Sequence, residues 1–85
     1  MRFSKLKACL AVLQVVTKKE RTTLEDIVSH TKIERSQVES SLDLLMKNQL
    51  ILKFTNLNNS ISYTSTERGH KILSFFGINE IFSVQ

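Results

Sequence analysis

Eighty-five residues, 41% of them hydrophobic and with a formal net charge of +4, make one small domain. A chain this short buries only about 60–65% of the surface it exposes when unfolded, so its lone core is marginal. Cys9 is the only cysteine, which excludes an internal disulfide and fits a reduced, cytoplasmic setting. No apolar run is long enough to span a membrane and no signal-peptide pattern opens the chain, so neither a spanning nor a secreted protein is expected.

The first helix is predicted from about Ser4 to Thr17. Leu6, Leu10, Leu13 and Val16 recur on one face, and Cys9 and Val12 widen the stripe. Lys18 and Lys19 follow at the end where a helix dipole favours positive charge. Thr22-Thr23-Leu24-Glu25-Asp26 is a helix start in which either threonine supplies the cap. The short second helix spans about Leu24 to His30, and Thr31-Lys32-Ile33 forms the turn with Ile33 as its apolar plug.

A third helix is predicted from Arg35 to about Asn48, with Val38, Leu42 and Leu45 as its buried stripe. Ser36, Ser40, Asp43 and Lys47 take the opposite face, flanked by Gln37 and Glu39. Leu50–Thr55 and Ser60–Ser65 alternate with period two, and Asn56-Leu57-Asn58-Asn59 between them tolerates the positive φ of a tight turn. Thr66 caps a last helix that runs to about Phe76, where Gly77 stops it. Helix, helix-turn-helix, hairpin and closing helix, in that order, are the layout of a winged helix-turn-helix.

Charge is unevenly spread. Arg2, Lys5, Lys7, Lys18, Lys19 and Arg21 face only Glu20 in the first 22 residues, which suits a polyanionic partner. From residue 23 to 50, acidic side chains outnumber basic ones, and that stretch holds the third helix.

Leu24-x-x-Ile27, Thr31-x-Ile33, Val38-x-x-x-Leu42-x-x-Leu45, Leu50-Ile51 and Tyr63-Thr-Ser-Thr66-Glu-Arg-Gly69 together resemble the archaeal and bacterial winged-helix transcriptional regulators. The small archaeal ones, whose wing runs into a Y-x-x-T-x-x-G helix, are the nearest in pattern. The resemblance covers about Leu6 to Phe76. It implies a dimer and places Arg35, Ser36, Gln37, Ser40 and Ser41 at DNA, with Lys53, Asn56, Asn58 and Asn59 in the wing. Two departures stand out. Gln49 occupies the position where that family places glycine, so Asn48 is expected to take the left-handed conformation. The wing also lacks the arginine or lysine that often enters the minor groove.

Read as chemistry, Gln37 suits adenine edges, Arg35 suits guanine or a phosphate, and Ser36, Ser40 and Lys47 suit phosphates. Phe75, Phe76, Ile78, Ile81 and Phe82 form an apolar end that is expected to bury against a second subunit. Tyr63, Thr66 and Gly69 read as structural. His30, His70 and Cys9 lack the spacing of a metal site, and no nucleophile–base pair or phosphate-binding glycine loop is present.

The expected architecture is therefore mostly α with a small β-hairpin: a three-helix core, a two-stranded wing and a C-terminal helix. Residues 1–85 form one winged-helix DNA-binding domain, with 66–85 as closing helix and dimerisation tail. The expected function is sequence-specific transcriptional regulation by a homodimer, with double-stranded DNA as partner. No enzyme activity, cofactor, metal, small-molecule ligand or membrane partner is expected. Two other functions suit the same residues: a winged-helix protein–protein interaction module, and a non-specific chromatin-like DNA coat.

Overall fold

Helix α1 (Lys5–Lys18) is buried on nearly every side, and the other elements are arranged around it. The computed structural model describes residues 4–76. The remaining elements are α2 (Leu24–Thr31), α3 (Arg35–Lys47), β1 (Ile51–Thr55), β2 (Ile61–Ser65) and α4 (Glu67–Phe76). Ala8, Cys9, Leu10, Ala11, Val12, Leu13 and Val16 of α1 are all buried, together with the polar Gln14. A helix that is apolar all round belongs in the middle of a fold. Accordingly, α1 contacts α2, α3, α4 and β2. Ser4 caps it, accepting from the Lys7 amide at 3.2 Å. Leu6 departs from the expected stripe. It is 60% exposed, because the first turn of α1 lies on the rim of an apolar groove instead of inside the core.

Of the two candidate caps for α2, Thr23 is the one used. Its hydroxyl accepts from the Asp26 amide at 3.1 Å, and the Asp26 carboxylate accepts from the Thr23 amide at 3.4 Å. Thr22 has a different task. Its N–H donates to the Tyr63 carbonyl at 2.9 Å, and the Tyr63 N–H donates back to the Thr22 carbonyl at 2.7 Å. The segment before α2 thereby acts as a one-residue third strand beside β2.

The end of α3 corrects one expectation. Asn48 has φ −94°, and it is Gln49 that takes the left-handed conformation, with φ 61°. The Gln49 N–H donates to the Met46 carbonyl at 3.0 Å and the Leu50 N–H to the Leu45 carbonyl at 2.9 Å. This is the Schellman closure that normally selects glycine. Glutamine fills the position because those two hydrogen bonds demand the backbone geometry regardless of side chain.

The chain then enters the β1–β2 hairpin, which is antiparallel with Leu52 opposite Thr64 and Phe54 opposite Ser62. Ile51 and Tyr63 are buried against the core, while Leu52 and Phe54 stay partly exposed on the other side. At the far end, Thr66 ties α4 to the α3–β1 junction. Its hydroxyl donates to the Gln49 carbonyl at 2.8 Å, its amide donates to the Leu50 carbonyl at 3.0 Å, and its oxygen accepts from the Gly69 amide at 3.1 Å. A Cβ on Gly69 would collide with the Leu50 carbonyl oxygen and press on Leu13 Cδ1 at 3.2 Å. Among the described residues, no helix is long and apolar enough to cross a membrane.

Two substitutions test this junction by thermal or urea unfolding. Gly69→Ala is expected to cost about 2 kcal/mol, since overpacking outweighs the gain in helix propensity. Gln49→Gly is expected to add about 1 kcal/mol by removing left-handed strain.

Candidate nucleic-acid interface

The turn between α2 and α3 sets the angle at which α3 is presented. Lys32 closes α2 in the left-handed region, φ 61°, with its N–H donating to the Val28 carbonyl at 2.9 Å. The Thr31 hydroxyl donates to the Ile27 carbonyl at 2.8 Å and accepts from the Ile33 amide at 3.2 Å. Ile33, 1% exposed, plugs the space between the helices. Val38, Leu42 and Leu45 are buried on the inner side of α3. The outer side therefore presents Arg35, Ser36, Glu39, Ser40, Asp43 and Lys47 to solvent, with Gln37 half-buried at its edge.

Ser41 is a correction. It is 4% exposed, and its hydroxyl donates to the Gln37 carbonyl one turn back at 2.9 Å. Ser41 follows Ser40 by one residue, which rotates its side chain about 100° toward the core. No external ligand can reach it.

Arg35 is exposed but not idle. Its Nη2 lies 2.9 Å from Glu25 Oε2 of α2, and its Nε lies 3.9 Å from Glu39 Oε2. The hydrogen bond from Arg35 is the main cause holding the Glu25 carboxyl below the usual glutamate range. Arg35 and Lys47 on the outer side of α3 are balanced by Glu39 and Asp43, so that side carries no net positive charge. The same acids act on Tyr63. Burial raises its phenol above the usual tyrosine value, and the negative charges of Asp43, Glu39 and Glu25 add to the effect.

The hairpin tip is built by the asparagines placed there by the sequence. Asn56 closes the turn with its amide donating to the Ser60 carbonyl at 2.8 Å, and its side chain donates to the Ser60 hydroxyl at 2.9 Å. Asn58 Oδ1 accepts from the Ser60 amide at 3.2 Å and from its hydroxyl at 2.6 Å. Asn59 supplies the left-handed residue, φ 66°. These three shape the turn, and only part of their polar inventory remains for a ligand. Lys53 and Leu57 are exposed.

The N-terminal cations do not form one patch. Lys5 and Lys7 lie at the start of α1 and Lys18 and Lys19 at its end, about 20 Å apart along the axis. Lys19 faces Asp26 at 3.8 Å. Arg21 instead reaches the hairpin: its guanidinium sits 5.3 Å from the Phe54 ring centre and its Nη1 donates to Asn56 Oδ1 at 3.1 Å. Sequence reading grouped Arg21 with the N-terminal lysines. The one local signal was Thr22-Thr23, a β-prone pair between two helices.

Phe75 is 81% exposed and Phe76 ends α4, whereas Ile78, Ile81 and Phe82 lie outside the described residues. The Ser65 hydroxyl and His70 Nε2 are 2.8 Å apart, Cys9 is buried, and no three His, Cys, Asp or Glu side chains cluster among the described residues.

No family model matches the chain, and no curated protein matches it in sequence. Solved structures do. Bordetella bronchiseptica BpsR, whose DNA binding is regulated by 6-hydroxynicotinic acid, superposes with a TM-score of 0.78 at 19% identity, over 89% of this chain and 56% of that one. A MarR-family transcriptional regulator from Silicibacter pomeroyi gives 0.75 at 18% identity, over 80% and 47%. The fold is a winged helix-turn-helix. The chain spans about half the length of those two proteins. The zebrafish PKZ Zalpha domain, similar with a TM-score of 0.69 at 21% identity, is covered over 97% of its own length by 74% of this chain. The β1–β2 hairpin is thus the wing, and α2 and α3 are the helix-turn-helix.

The Arg35–Glu25 contact is open to direct measurement. A carboxyl-detected NMR titration is expected to place Glu25 below its ordinary value of 4.5 and to move it upward in Arg35→Ala, with the backbone hydrogen bond to Glu25 still opposing a full return.

Proposed function

We propose that this chain is a sequence-specific DNA-binding transcriptional regulator that acts as a homodimer, with α3 in the major groove and the wing along the backbone. One observation carries the reading. A helix backed by the core presents Ser36 and Ser40 on its exposed face, with Gln37 half-buried at the edge of that face, all short or planar polar side chains. Side chains of this kind fit the groove floor: Gln37 pairs with an adenine edge and the serines with phosphates. Kinship of fold with BpsR, a protein that binds DNA, supports the same choice. The expected binding residues are Arg35, Ser36, Gln37, Ser40 and Lys47 on α3, and Lys53, Asn56, Asn58 and Asn59 in the wing.

Dimerisation is supported by apolar surface. Leu6, Leu10, Leu44, Leu50 and Ile72 line an open groove of about 390 Å³, and Phe75 is exposed nearby in the chain. A second subunit that buries this surface and the Phe75–Phe82 end would enlarge a core that is small for a lone domain.

A second reading has its own support. Glu25, Glu39 and Asp43 stand about the outer side of α3, and Arg35 is already paired. Such a surface suits a basic protein partner, in which case the fold serves as an interaction module.

Selection from randomised duplexes at physiological salt, with sedimentation to fix the oligomeric state, separates these readings. A homodimeric regulator is expected to enrich a pseudo-palindrome with half-sites about 34 Å apart and to prefer it over random DNA by about 10³-fold or more. Gln37→Ala should relax the preference at one base position. Uniform loss on every sequence would remove Gln37 as a base reader, and no duplex binding at all would favour the protein partner.

A further inference from the structure

Arg21 adds a second cation to a hairpin whose own sequence supplies only Lys53. The backbone pairing of Thr22 with Tyr63 brings the chain before α2 alongside β2. Thr22 is fully buried toward the core, so its neighbour Arg21 projects from the opposite side of the sheet. There it meets Phe54, whose ring centre lies 5.3 Å from the guanidinium carbon, and Asn56, whose Oδ1 accepts from Nη1 at 3.1 Å.

We propose that Arg21, seated on Phe54 and braced by Asn56, is a phosphate contact of the wing and grips a backbone phosphate of duplex DNA lying along the hairpin. The assignment rests on the DNA-binding reading above.

Three features support it. The first is charge. Arg35 and Lys19 each face a carboxylate, at 2.9 Å and 3.8 Å, whereas Arg21 faces a ring and a neutral amide, with no carboxylate at ion-pair distance among the described residues. Its positive charge is therefore uncompensated locally and available to an anion. The second is pre-organisation. The Phe54 ring and the hydrogen bond to Asn56 hold the guanidinium at the hairpin and use one N–H, which leaves its other donors for a phosphate. The third is room. Arg21 borders an open depression of about 590 Å³, shared with Phe54, Thr55, Asn56, Leu57 and Asn58, at the turn end of the wing. A phosphate and its sugar fit there, beside the exposed Lys53 strand.

The experiment is anisotropy titration of the selected duplex, labelled, with the full chain at a series of salt concentrations. Arg21→Ala is expected to weaken binding on the order of tenfold per subunit and to lower the slope of log Kobs against log salt by about 1.8, since the homodimer loses one phosphate contact, about 0.9, in each subunit. Arg21→Lys should keep the slope and lose part of the affinity, because an ammonium neither stacks nor bonds as a fork. Arg21 is exposed, so both variants are expected to fold, and unfolding curves check this. A merely structural brace predicts the reverse: a lower melting temperature with the salt slope unchanged, which overturns the assignment. The two readings fail separately. Absence of duplex binding by wild type sinks the DNA-binding function and this contact with it, whereas an unchanged slope in Arg21→Ala beside normal wild-type binding sinks only Arg21.

Discussion

The packing of α3 onto α1 is the constraint on which the other features depend. Val38, Leu42 and Leu45 share one buried cluster with α1, whose members there include the small and branched Ala8, Ala11 and Val12. Burying three such side chains stabilises the fold by about 6 kcal/mol on the usual area scale. That is comparable to the whole net stability of a domain of this size. The contact therefore cannot be weakened without losing the fold, and it also dictates which side of α3 looks outward. A single helix rotation relates the two roles. Ser41 is taken inward because Leu42 and Leu45 are, and Ser40 is left out for the same reason.

A second set of constraints gathers where α3 ends. The left-handed Gln49, the Leu50 carbonyl, Thr66 and Gly69 meet within a few hydrogen bonds. Leu50 donates its amide to close α3 and offers its carbonyl to Thr66, so one residue ties the end of a helix, the start of the wing and the cap of α4. Gly69 must lack a side chain because that same carbonyl stands against it. The wing is thus anchored at its base through α4 and along its edge through Thr22. Its tip is shaped by the asparagines, with Ser60 and Arg21 as side-chain partners.

The electrostatics divide between the two exposed regions. The outer side of α3 has balanced charge, with Arg35 held between Glu25 and Glu39. Groups of this kind discriminate by geometry and add little general attraction, since exposed ion pairs contribute at most about 1 kcal/mol. The wing carries unpaired positive charge at Arg21 and, by exposure, at Lys53. In the proposed function this separates base reading on α3 from backbone attraction on the wing.

Much of the layout was legible in the chain. The four helices, the hairpin, the Thr66 cap and the buried stripe of α3 follow from local periodicity and capping residues, because those signals arise between residues a few positions apart. The outward side of α3 followed with them, apart from Ser41, which lies at the margin of the stripe where a periodic pattern is ambiguous. What the tertiary structure decided depends on distant pairings. The bridge of Thr22 to Tyr63 carried Arg21 across the sheet to Asn56, 35 residues away in sequence. The length of α1 split an apparent basic cluster into two ends. Gln49 was forced left-handed by hydrogen bonds to α3, although its side chain gives no hint of it. Local patterns specify elements, but charge partners and strained backbone are set by which elements end up touching, and that information lies in the packing of the whole chain.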